Sequence, residues 1–139
     1  MSPTTAMFWP MIAHVALVFG IYALLNRRRT ALLRSGKVTA EQLRELRDEP
    51  SESLMVRNNL ANQFELPVLF HIACLLLYIT DADNIVTILL AWLFVAARYV
   101  HTYVHVTSNR LRYRAPAFIV SFVTLGLMWA WMAVWLAFE

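Results

Sequence analysis

The sequence predicts an all-α membrane protein, folded as an antiparallel four-helix transmembrane bundle. Hydrophobic residues make up 60% of the chain, whereas soluble domains contain a little under half. All 12 Lys and Arg residues fall within residues 27–57 and 98–114, and cytoplasmic loops of membrane proteins retain such residues. Each of four apolar stretches, folded as an α-helix, is long enough to cross a hydrocarbon core of roughly 30 Å. These spans cover about residues 7–26, 57–79, 85–105 and 115–138, and residues 1–139 are expected to form a single domain.

The charge distribution also predicts how the spans are oriented. The long basic loop, about residues 27–56, is expected in the cytoplasm, whereas both termini and the acidic turn at Asp81 are expected on the opposite side. Arg27 follows the first apolar run instead of preceding it, so this run is expected to be a retained span and not a cleaved signal peptide. Anionic lipid headgroups explain cations beside apolar spans, and we therefore expect membrane lipid and no nucleic acid as a partner.

The long first connection carries local helix signals along its length. Thr39 followed by Gln42 forms a capping box, which predicts a short helix that ends at Pro50. Ser51 or Ser53 is then expected to cap the second long helix before it enters the membrane.

The other two connections are short. The acidic turn at residues 80–84 predicts that spans two and three are antiparallel neighbours. The connection at residues 107–114 is followed by Pro116, which is predicted to lie in the first turn of the fourth helix because its missing N–H needs no partner there.

Polar residues inside the spans are the candidates for function, since an ionisable group in hydrocarbon costs several kcal/mol without a partner. Helical spacing places two sets on one face each: Asn58, Asn62 and Glu65 on span two, and Arg98, His101, Thr102 and His105 on span three. Both sets lie at similar depth, so we predict that Glu65 pairs with Arg98 of its own or a neighbouring chain. The alternative is that these residues only hold the helices in register.

The histidines permit a further interpretation. His101 and His105 are spaced to present two imidazoles to one metal or haem, but two ligands are too few for a closed site. We therefore expect no metal. His14 and His71 are expected to be hydrogen-bonded packing residues.

Several of these residues carry a resemblance to the MAPEG family, the membrane-associated proteins of eicosanoid and glutathione metabolism. The chain resembles this family in its four spans and its long basic first loop. Three short motifs add to the likeness: Asn62-Gln-Phe-Glu65 followed by Pro67, Arg98-Tyr-Val-His101-Thr102, and Arg114-Ala115-Pro116.

The resemblance implies a homotrimer with glutathione sites between subunits, near the cytoplasmic face. It implies a glutathione-dependent transferase or peroxidase that acts on a lipophilic small molecule. The candidate glutathione-binding residues are Asn58, Asn62, Glu65, Arg98 and Arg114, and the candidate catalytic residues are His101 and His105.

The chain also departs from the family pattern. Phe118 and Ile119 replace polar groups after the Arg-Ala-Pro turn, Phe122 replaces a helix-four tyrosine, and His105 replaces a family tyrosine. A thiol without activating groups is only a few per cent thiolate at pH 7. His105 is therefore the candidate base or imidazolium partner. The alternative function is a non-catalytic MAPEG-like membrane scaffold or complex subunit that binds lipid.

Overall fold

The computed structural model describes residues 5–139, and it confirms the all-α bundle. A short 3-10 turn, Thr5–Met7, leads into the first helix. The six α-helices are α1 Phe8–Arg34, α2 Ala40–Glu45, α3 Ser51–Asn62, α4 Leu66–Ile79, α5 Ile85–Val106 and α6 Leu111–Phe138. Four helical segments are long and apolar enough to cross a membrane: Thr5–Arg34, Ser51–Ile79, Ile85–Val106 and Leu111–Phe138.

The packing partners of each helix could not be predicted from the acidic turn alone. α5 packs most extensively on α6, α3 packs on α1 and α5, and α4 packs mainly on α6. The rings of Phe70 and Phe94 stack with their centroids 4.3 Å apart, and this pair joins α4 to α5. Large apolar side chains cover the outer faces of the helices, as Phe19 and Leu89 illustrate. Such surfaces need lipid or a protein partner to cover them.

The helix ends in the long loop differ partly from the prediction. The capping box is present, because Thr39 Oγ1 accepts from the Gln42 N–H and Gln42 Oε1 accepts from the Thr39 N–H. α2 ends at Glu45 and not at Pro50, and its C-cap residue Leu46 adopts a left-handed conformation with φ of 55°. Pro50 is itself the N-cap residue of α3, so neither predicted serine caps that helix.

The two short connections lead into α5 and α6, and the second of them differs from the prediction. Asn84 caps α5 by accepting from the N–H groups of Val86 and Thr87, and the Trp131 indole donates to the Ala82 carbonyl at 2.9 Å. α6 begins at Leu111, so Pro116 lies inside the helix and not in its first turn. The helix therefore carries the basic residues of this connection into its first two turns.

Candidate functional site

The second span is broken in the middle, and the break shapes the candidate site. α3 ends at Asn62 and α4 begins at Leu66, with the intervening residues in a turn. Pro67 explains the break, since proline has no N–H for the carbonyl four residues earlier and its ring clashes with that carbonyl. Glu65 adopts a non-helical conformation, with φ of −97° and ψ of −109°. The helical face that holds Asn58 and Asn62 therefore ends at Asn62, and Glu65 lies in the turn beyond it.

Arg98 is the most unusual group near this break. It is the largest fully buried side chain within residues 5–139, with 0% of its surface exposed. Its Nη2 donates to Asn62 Oδ1, but its Nε and Nη1 are buried and find no partner among the described residues. A buried cation normally has its charge and its N–H groups matched, so this guanidinium lacks part of its natural environment.

The sequence predicted that Glu65 pairs with Arg98 of its own or a neighbouring chain. Within the single chain the two side chains do not contact each other directly. No Glu65–Arg98 contact within 4.0 Å exists in residues 5–139. Asn62 lies between them, and its Nδ2 donates to Glu65 Oε2 at 2.8 Å. Glu65 is exposed and acts on the Arg98 charge only at longer range. The three residues thus form a relay from an exposed carboxylate to a buried cation.

The two candidate catalytic histidines lie together on α5. Their ring centroids are 5.7 Å apart and the rings are nearly perpendicular. His101 is almost fully buried, and its Nδ1 is one of the enclosed atoms without a partner in the described chain. His105 differs, because its Nδ1 lies 3.2 Å from Asn59 Nδ2. The ring of Phe118 also faces His101, with a centroid distance of 6.1 Å.

A second polar layer lies deeper in the bundle. Gln63 Oε1 is 3.0 Å from His14 Nε2, and His14 Nδ1 is 2.9 Å from His71 Nε2. These contacts confirm that both histidines are hydrogen-bonded packing residues. On its other side Gln63 bonds to Asn59 and to Thr102 Oγ1, which joins three helices through buried polar atoms.

This layer includes two residues that the sequence analysis did not select. Asn59 and Gln63 are 0% and 2% exposed, whereas the predicted Asn58 is exposed. Asn59 and Gln63 also follow an i, i+4 spacing, and Val56 extends the same buried stripe by one turn. That spacing was a usable signal, but the sequence offered two overlapping stripes and no means to decide which one faces the bundle.

Arg114 lies in the second turn of α6, beside the histidine pair. It is half-buried, and its Nη1 donates to Asn109 Oδ1 at 2.6 Å. Its charge acts on both His101 and His105. Arg114 and the two imidazoles therefore lie in one region of the bundle.

The C-terminal part of α1 contains three consecutive arginines with distinct surroundings, Arg27, Arg28 and Arg29. Arg29 forms an ion pair with Glu49 at 2.8 Å, and Arg57 contacts the same carboxylate at 3.0 Å. Burial opposes the ionisation of Glu49, but hydrogen bonds from Arg29 and Ser53 and the charges of the two arginines outweigh it, and the pKa of Glu49 lies below its ordinary value. This cluster fixes the loop against α1 and α3.

Arg28 has a different role from its neighbour. It donates to the backbone carbonyls of Glu52 and Val106, both at 2.8 Å. It also lines an open cleft of about 600 Å³ between α1, α3 and the end of α5. Of the three arginines, Arg28 both hydrogen-bonds to other helices and lines the cleft. Arg27 is exposed.

Two further features of the described residues concern metal-binding side chains and an apolar groove. Residues 5–139 contain no group of three or more His, Cys, Asp or Glu side chains placed to hold a metal ion. An apolar groove of about 1390 Å³ is lined by the start of α5 and the end of α6, at the opposite end of α5 from the histidine pair. That groove is separate from the Arg98 region.

The fold and this polar region define an integral membrane protein with four spanning helices. The MAPEG family model matches residues 6–134 of the chain, and the protein belongs to the MAPEG family. No curated protein and no solved structure matches the chain significantly. Membership supports a glutathione-related membrane function at the level of the family.

Proposed function

We propose that the protein is a glutathione-dependent membrane transferase or peroxidase that acts on a lipophilic substrate. The observation that carries the proposal is Arg98, a fully buried guanidinium with two unpartnered nitrogen atoms next to Asn62. A carboxylate of glutathione supplies what this group lacks, because an arginine and a carboxylate form two parallel charge-assisted hydrogen bonds.

The rest of the relay matches the other charges of glutathione. The tripeptide carries two carboxylates and one ammonium at neutral pH. Glu65 offers an exposed carboxylate for the ammonium, while Asn62 orients both Glu65 and Arg98. Because Nε and Nη1 of Arg98 are enclosed in the single chain, glutathione has to displace a covering side chain as it binds. His101 and His105 then lie near the sulfur.

We propose a homotrimer with glutathione held between subunits. The exposed position of Glu65 and the apolar outer helix faces are compatible with a neighbouring subunit that covers them. A neighbour also provides further groups around Arg98. The lipophilic substrate enters from the bilayer along the outer faces of the helices.

We propose that the site lies near the cytoplasmic face of the membrane, since Lys and Arg residues are retained on that side. The basic residues of the first loop and of the start of α6 lie in the cytoplasm, and both termini lie on the opposite side. Arg114 and the histidine pair are close to the basic connection before α6, so glutathione reaches them from the cytoplasmic side.

Calorimetric titration of the detergent-solubilised protein with glutathione tests the proposal. We expect saturable binding to the parent protein and no measurable binding to Arg98→Leu. Arg112→Leu is the matched control, since it removes an exposed arginine from the same basic region and should leave binding unchanged. Absence of binding to the parent at millimolar glutathione contradicts the proposal and favours a non-catalytic scaffold that binds lipid.

A further inference from the structure

A continuous chain of side-chain contacts connects four helices through the interior of the bundle. It runs from His71 to His14, to Gln63, to Asn59 and finally to His105. Each of these contacts is between 2.9 and 3.2 Å long. Amides and imidazoles can each donate or accept a hydrogen bond. All the bonds of such a chain can therefore run from donor to acceptor in either direction, unless one bond has a fixed donor.

One backbone atom fixes the direction. The terminal nitrogen of Gln63 lies 3.3 Å from the backbone carbonyl oxygen of Asn59, and a carbonyl oxygen only accepts. The amide group of Gln63 must therefore direct its NH₂ toward Asn59, and its oxygen toward His14 Nε2. Asn59 in turn must accept with Oδ1, because both Gln63 and the Thr102 hydroxyl donate to that atom.

The proton position on each imidazole follows from this direction. His14 carries its proton on Nε2 to donate to Gln63, so its bare Nδ1 accepts from His71 Nε2–H. At the other end Asn59 directs its NH₂ toward His105, so His105 Nδ1 accepts and carries no proton. A neutral imidazole has one proton, and that of His105 must lie on Nε2.

We infer that the backbone carbonyl of Asn59, acting through Gln63, and the side-chain amide of Asn59 hold His105 as the neutral Nε2–H tautomer. His105 therefore offers the site a hydrogen-bond donor and not a base. Its Nε2 makes no hydrogen bond within residues 5–139 and is not among the enclosed unpaired atoms, so the proton is available to a ligand. Asn59 is a positioning residue that acts through His105. This differs from the general-base role expected for His105 from the sequence.

For a thiol ligand the consequence is specific, and this step rests on the proposed function. An Nε2–H group donates a hydrogen bond to sulfur and favours the thiolate over the thiol, since hydrogen bonding to the charged form stabilises it. The network sets no proton position on His101. Removal of the thiol proton therefore falls to His101 or to water and not to His105.

Nitrogen NMR of the protein labelled with ¹⁵N-histidine tests the inference without glutathione. Four histidines are present, and single His→Gln variants assign their signals. We expect a pyridine-type Nδ1 and a protonated, pyrrole-type Nε2 for His105 and His14. A protonated Nδ1 on either ring, alone or together with a protonated Nε2, overturns the inference.

Asn59→Asp tests whether Asn59 sets the tautomer. A carboxylate cannot donate, so the proton of His105 should move to Nδ1 or a second proton should be bound there. Asn58→Asp makes the same chemical change at the adjacent exposed position and should leave the His105 signals unchanged. An unchanged Nε2–H tautomer in Asn59→Asp refutes the role of Asn59.

Addition of glutathione to the parent protein separates this inference from the proposed function. We expect the Nε2–H proton of His105 to shift downfield as it bonds to sulfur. If the ligand-free tautomer is as stated but calorimetry shows no glutathione binding, the proposed function fails and the tautomer stands. If glutathione binds and this proton does not shift, the contact with sulfur is overturned.

Discussion

Replacement of Arg98 by leucine should leave the ligand-free protein at least as stable as the parent while abolishing its response to glutathione. The reason is the incomplete environment of the guanidinium. Two of its nitrogen atoms are buried without partners in the described chain, and a buried ionic group replaced by an apolar one of similar volume is often neutral or stabilising by about 1–4 kcal/mol.

The structure allows the balance to be worked out. The substitution also removes the hydrogen bond from Arg98 to Asn62, and the range of about 1–4 kcal/mol already includes the loss of the hydrogen bonds of the replaced group. The net change in the free energy of unfolding therefore lies between about 0 and +4 kcal/mol. For a chain of this size this corresponds to a rise in Tm of 0 to roughly 16 °C.

Thermal unfolding with and without glutathione is the assay. Ligand at 100 times its Kd stabilises the parent by about 2.7 kcal/mol, and it should stabilise Arg98→Leu by nothing measurable. The exposed Arg112→Leu variant should behave as the parent in both conditions. If Arg98→Leu is less stable than the parent by more than about 2 kcal/mol, the guanidinium is fully matched in the assembled protein. Arg98 would then hold the helices in register, and the argument for a ligand-binding role would fail.

Three further substitutions test other parts of the structure. Asn59→Leu should lower the free energy of unfolding by about 2–4 kcal/mol, since Gln63, Thr102 and His105 each lose a buried hydrogen bond to the Asn59 side chain. Asn58→Leu at an exposed position should change it by less than about 0.5 kcal/mol, and chemical denaturation compares the two. Glu49→Gln should destabilise the loop only at pH values where Glu49 is ionised. The pKa of Glu49 is lower in the folded protein than its ordinary value of about 4.5. Its contribution to the free energy of unfolding is therefore present above the unfolded pKa and is lost as the pH falls through the folded pKa. The Tm difference from the parent should thus be constant at neutral pH and should disappear in acid, and a difference that persists in acid contradicts the ionic interpretation. Asn84→Ala removes the N-cap of α5 and should cost about 0.5–2 kcal/mol, whereas Asp83→Ala, which caps nothing in the described chain, should be nearly neutral in the same unfolding assay.

The spans could be predicted from the sequence because hydropathy is a property of single segments. An apolar run of sufficient length must be a helix in lipid, since every backbone group needs an internal partner there. The capping box at Thr39 was predictable for a similar reason, because its two hydrogen bonds lie within four residues. Helix ends such as Glu45 and Leu111 were less accessible, because they depend on loop packing and not on the local signal.

The interior network was not predictable to the same extent. Helical spacing identifies which residues share a face, but it does not say which face meets another helix. Asn58 and Asn59 both belong to plausible stripes, and only the packing of α3 on α1 and α5 decides between them. The link from Arg98 to Asn62 was likewise hidden, since charge matching alone favoured a direct pair with Glu65.

Two faces at the end of α3 carry the two roles that the sequence had presented as alternatives. Asn59 and Gln63 face inward, where their partners Thr102 and His14 are buried. This set holds the helices in register. Asn62, the last residue of α3, contacts Arg98, and Glu65 is exposed in the turn that follows.

Register and ligand binding therefore use different side chains, with His105 as the exception. The inward set is satisfied within the single chain, so its loss should lower stability whether or not glutathione is present. Arg98 is left unsatisfied, so its loss should lower ligand binding and not stability. His105 belongs to both sets, because its Nδ1 is held by Asn59 and its Nε2 is free to meet a ligand. It is through this ring that a change in the structural layer, such as Asn59→Asp, should reach the chemistry of the site.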